Sequence, residues 1–93
     1  MYKLFFAEEI EINLEDLARE VKKLSLRSTL ERERILKEAE EKIPKDIAQK
    51  AIKLTEDLCY HRGFCREAGI SYIDPDYRLI KTTIASYLLS NKH

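Results

Sequence analysis

The sequence predicts an all-α fold: a small four-helix orthogonal or bundle-like domain with an apolar N-terminal arm. Three observations carry that expectation. Apolar residues recur at spacings of three and four through most of the chain, a start signal precedes each periodic stretch, and only two Gly and two Pro interrupt the 93 residues. The 44% hydrophobic content is enough for a core, and the length suits one unit, so residues 1–93 read as a single helical domain.

The arm, residues 1–12, is the least regular part. Leu4-Phe5-Phe6 is a continuous apolar run, whereas Ile10-Glu11-Ile12-Asn13-Leu14 alternates like a strand with no visible partner. The arm is expected either to form a fifth helix or to lie extended, on the helices or paired with the same arm of a second chain. Tyr2, Leu4, Phe5 and Phe6 are therefore the candidate oligomer-interface residues.

The first helix is expected over residues 14–25, capped by Asn13, with Leu14, Leu17, Val21 and Leu24 on one face. Ser28-Thr29-Leu30-Glu31 is a capping box opening a second helix over 28–43. Its apolar positions, Leu30, Ile35, Leu36, Ala39 and Ile43, are sparse among eight charges between Glu31 and Glu41, so it should be the most exposed helix. Pro44 suits the first turn of a third helix over 44–62, where its missing N–H costs nothing. Ile47, Ala51, Leu54 and Leu58 form one stripe there, and Ala48, Ile52 and Cys59 a second, which places this helix at the centre of the core with Gly63 as its C-cap. Residues 64–73 read as irregular, with room for one turn ending at Gly69. The last helix, over 75–90, opens with Asp74 as cap, Pro75 at the first position and Asp76 in the first turn, and carries the stripe Tyr77, Ile80, Ile84 and Leu88.

Charge narrows the functions. Seventeen Lys and Arg balance seventeen Asp and Glu, which excludes a polyelectrolyte built to coat nucleic acid or an anionic membrane. The balance is uneven along the chain: residues 1–46 hold 12 acids and 10 bases, residues 47–93 hold 5 and 7. No acid follows Asp76. Arg62, Arg66, Arg78 and Lys81 are accordingly the candidate nucleic-acid contacts, with Tyr60, Tyr72 and Tyr87 as stacking groups; helix-dipole compensation and ordinary solvation are the competing explanation. Glu and Lys supply 22 residues against three side-chain amides, a bias of heat-adapted proteins, so a thermophilic source is expected. No apolar run approaches the ~20 residues that cross a bilayer, and no secretory signal is visible, so the expectation is a cytoplasmic protein with no membrane partner.

Candidate chemistry is confined to Cys59-Tyr60-His61-Arg62-Gly63-Phe64-Cys65. Cys59, His61 and Cys65 are three metal-ligand types, but their spacing lacks the paired knuckles of structural zinc sites, and no metal or other cofactor is expected. Cys59 and Cys65 are candidates for a disulfide, which requires the helix to break between them; the alternative is two buried free thiols. No third group is visible to orient His61 toward a thiol, and the acidic pairs lie on highly charged segments, so no catalytic residue is assigned and no enzyme is expected.

Ile43-Pro44, Ile47 and Ala51, followed by Arg62-Gly63, resemble the start of a cyclin-like repeat of transcription factor IIB-type proteins. The resemblance spans residues 43–63, departs in the long segment before the final helix, and transfers no functional residue. The sequence thus points to a small non-enzymatic helical interaction module, a homodimer or other homo-oligomer or an accessory subunit, whose partner is itself or another protein. The alternative is a nucleic-acid-binding or transcription-associated protein that uses the basic C-terminal side.

Overall fold

In the computed structural model of the protein, the described residues are 4–7, 10–71 and 73–90, with side chains described for 13–71 and 73–90. The chain begins with a β-hairpin, β1 (Leu4–Ala7) and β2 (Ile10–Asn13). Five helices follow: α1 (Leu14–Ser25), α2 (Thr29–Lys42), α3 (Lys45–Leu58), α4 (Arg62–Ala68) and α5 (Tyr77–Ser90). The body is all-α as expected, with five helices among the described residues in place of four.

Local chemistry accounts for the helix starts. Asn13 Oδ1 accepts from the amides of Glu15 (3.0 Å) and Asp16 (3.2 Å), and Ser28 Oγ accepts from the Glu31 amide at 3.3 Å. Only half of the capping box forms, because the Glu31 carboxylate is taken by Arg27. At α5 the cap is Asp76 and not Asp74: its Oδ1 accepts from the Leu79 amide at 3.1 Å, and its carbonyl accepts from Ile80. The Asp74 amide instead donates to Ser71 Oγ at 3.0 Å.

The main departure lies between α3 and α5. A helix over 44–62 capped by Gly63 is not what forms. α3 ends at Leu58, the chain turns through Cys59 and Tyr60, and a separate α4 begins at Arg62, with Gly63 inside it. The turn is favoured because it returns Phe64, Cys65 and Ala68 to the core, where all three are buried. The expected glycine stop is instead Gly69, at φ 70°, where the Gly69 amide donates to Arg66 O and the Ile70 amide to Cys65 O, the paired bonds of a Schellman motif.

The core also has a different centre from the one the sequence suggests. α3 buries Ile47, Ala51, Leu54, Thr55 and Leu58 on one side while Ile52 of the second stripe is exposed. The helix with two buried sides is α5, which packs on α1, α2 and α3 and buries Leu79, Ile80, Thr82, Thr83, Ile84, Ala85 and Leu88. Two threonines reach the core by bonding back one turn, Thr55 to Ala51 O (2.6 Å) and Thr83 to Leu79 O (2.7 Å). α2 is the exposed helix expected: Leu36 alone is buried on it, and Leu30 is 83% exposed.

The hairpin supplies the strand partner that the sequence does not reveal. β1 pairs antiparallel with β2, with Phe5 opposite Ile12 and Ala7 opposite Ile10, so a uniformly apolar run becomes the partner of an alternating one.

Candidate functional site

The cysteine segment is a packing junction. The N-cap residue His61 accepts the Phe64 amide on ring Nδ1 at 3.0 Å, so the imidazole closes the start of α4. Cys59 and Cys65 are buried and free, which corrects the candidate disulfide: the chain turns between them, as a bridge requires, but the two thiols are not placed for one. The Cys65 thiol donates to Cys59 O at 3.3 Å, and the Cys59 thiol to Glu56 O at 3.6 Å. Burial pushes both thiols above their ordinary range, the direction opposite to that of an activated nucleophile. Among the described residues no group of three His, Cys, Asp or Glu is placed to hold a metal ion.

The four candidate nucleic-acid contacts divide between two helices. Arg62 and Arg66 are exposed on α4, and Arg78 and Lys81 lie on α5. Arg78 is committed inside the protein: its Nε and Nη2 donate to the two oxygens of Glu40 (3.0 and 2.7 Å), and its Nη1 to Glu33 at 2.6 Å. These bonds hold the Glu40 carboxyl below the usual carboxylate range and raise the guanidinium further above its own. Glu33 and Glu40 stand seven residues apart, two turns along one face of α2, so Arg78 clasps that helix to α5. That spacing was the available signal. Of the candidate stacking groups, Tyr60 is exposed, Tyr87 packs against the core, and Tyr72 lies outside the described residues.

A cleft of about 600 Å³ opens between α1, α2 and α5, with Leu24, Leu36, Thr82, Ser86 and Tyr87 among its lining residues. Its volume falls in the range of small-molecule sites. The bases on its rim are paired locally, Arg19 with Asp16, Lys23 with Glu20 and Arg27 with Glu31, which leaves no concentrated charge to select an ionic ligand. Thr82 Oγ1 is buried without a partner in hydrogen-bonding geometry; the Glu40 carboxylate, whose ionised form the hydroxyl favours, is the acceptor within its electrostatic reach.

Of the candidate interface residues, Leu4, Phe5 and Phe6 form β1, and Tyr2 lies outside the described residues. The sheet holds two strands, so among the described residues each strand has one side with no ladder partner. Among the described residues no helix is long and apolar enough to cross a membrane. No family model matches the chain, and comparison with curated proteins and with solved structures also finds no match.

Proposed function

We propose that the protein is a small, non-enzymatic helical interaction module that works as a homo-oligomer joined through its N-terminal segment. The observation that carries this reading is the two-stranded hairpin, an apolar element that leaves both of its edges open among the described residues. A lone hairpin is marginal in water and gains stability from further strands or from packing on a partner. The raised thiols and the commitment of His61 to a helix cap and of Arg78 to Glu33 and Glu40 support a binding role over catalysis or phosphate contact.

The test is native mass across a dilution series, by light scattering or sedimentation, for the intact chain and for a form lacking residues 1–8. The intact chain is expected at a multiple of its 11.0 kDa mass, and the shortened form at the monomer mass with its helical circular dichroism retained. An intact chain that stays monomeric at every concentration overturns the proposal.

A further inference from the structure

Resting on the reading of the hairpin as the self-association element, we infer that two copies join by antiparallel pairing of β1 with β1, giving a four-stranded sheet in the order β2, β1, then β1 and β2 of the second copy. The backbone identifies which groups are available. Ala7 and Ile10 close the hairpin with two residues of sequence between them, and the closing pair of such a connection exchanges both its backbone hydrogen bonds. Bonded and non-bonded pairs alternate along an antiparallel ladder, so Phe5 with Ile12 is the next bonded pair. The N–H and C=O of Leu4 and Phe6 on β1, and those of Glu11 and Asn13 on β2, then point away from the hairpin.

Charge separates the two edges. Self-pairing along β2 brings Glu11 of one copy toward Glu11 of the other, and like charges across a ladder are destabilising. β1, Leu-Phe-Phe-Ala, carries no charge and no proline, two of the devices that protect an exposed edge. Its flanks in sequence are Lys3 on one side and Glu8-Glu9 on the other. An antiparallel arrangement therefore brings the basic start of one strand to the acidic end of its mate at both ends, whereas a parallel one opposes like charges. The same surface meets itself across a two-fold axis, which closes the assembly at two copies.

Phe6→Pro tests the pairing. It deletes an outward N–H while leaving the ladder bonds of Phe5 and Ala7 in place, a position where proline is tolerated on an edge. The expected result is a shift from dimer to monomer with unchanged helical circular dichroism. A second arm uses charge: Lys3→Glu should weaken dimerisation about tenfold, and adding Glu8→Lys and Glu9→Lys to that variant should restore it. If the intact chain is a monomer, both this inference and the reading beneath it fail. If Phe6→Pro and the charge variants dimerise like the intact chain while loss of residues 1–8 abolishes association, self-association stands and β1 pairing is overturned.

Discussion

α2 and α5 are each 14 residues long, and they are held in the protein by opposite means. α5 lies against α1, α2 and α3, and its attachment is burial: Leu79, Ile80, Ile84 and Leu88 are all but inaccessible. On α2 Leu36 alone is fully buried and Ile35 and Ala39 are half-buried, and to that thin apolar contact are added the Arg78 clasp on Glu33 and Glu40 and an Arg32 bond to Ser25 O. Burial is non-directional and scales with area, so the packing of α5 on α1 and α3 does not depend on the ionisation of particular side chains, although α5 supplies Arg78 to its contact with α2. A clasp of partly exposed charges is directional and screened, so the position of α2 responds to both. The four i,i+3 or i,i+4 pairs along α1 and α2 are too exposed to change that ranking.

The sharpest way to break the contrast is to remove the same kind of group from each helix. Ile84→Ala should cost about 2–5 kcal/mol and lower the global melting temperature, because the cavity is left at a fully buried position of the core. Leu36→Ala should lie at the low end of the same range of about 2–5 kcal/mol, since α2 can settle into the space left. Hydrogen exchange separates the two. Ile84→Ala should speed exchange throughout the body, whereas Leu36→Ala should speed it chiefly in α2. Equal, global acceleration by both would remove the distinction between the helices.

α4 is the test of whether a helix of seven residues belongs with the buried class. It buries Phe64, Cys65 and Ala68 against α1 but depends on its ends. At Gly69 an added Cβ would meet Lys22 Cγ at 3.9 Å, an ordinary contact, so the cost of Gly69→Ala comes from the positive φ. It should be about 1–2 kcal/mol, read from chemical denaturation. At the other end His61→Ala should cost about 1 kcal/mol, and His61→Asn, which retains an acceptor, should restore most of it. If Asn behaves as Ala does, the ring contributes by packing and not as a cap.

How much of this was legible in the sequence follows from how local each cause is. The Asn13 and Ser28 caps, the bounds of α1 and the exposure of α2 are set within a few residues, and they were read correctly. The break after Leu58 was not, because it depends on whether Phe64 and Cys65 reach the core, and only the assembled body decides that. His61 as a cap was missed because imidazole is an uncommon choice beside Ser, Thr, Asp and Asn. The central place of α5 was missed because Thr82 and Thr83 are polar residue types; Thr83 is compatible with a core once its hydroxyl bonds to Leu79 O, whereas Thr82 is buried without such a bond. At the candidate site, the basic character of Arg78 was evident from composition, but its partners stand 38 and 45 residues away. β1 was hidden because a continuous apolar run has no period, and its strand character comes from the partner that follows it.

The smallest expected effect tests the clasp itself. The Arg78 guanidinium holds the Glu40 carboxyl below its ordinary value of 4.5, so the folded state binds this proton more weakly than the unfolded chain does. The stabilisation is therefore fully present above the unfolded value and is lost as pH falls through the folded one. Because the Glu40 side chain retains 34% of its exposure, solvent screening limits the contribution to no more than about 1 kcal/mol. Glu40→Gln should lower the melting temperature slightly at pH 7 and in low salt, and the gap between variant and parent should close as pH is taken below 4.5. Added salt at pH 7 should narrow the same gap, whereas the loss caused by Ile84→Ala should not shrink with salt. A Glu40→Gln deficit that persists unchanged at low pH and in high salt would show that α2 is held by packing, as α5 is, and that the two helices differ in degree alone.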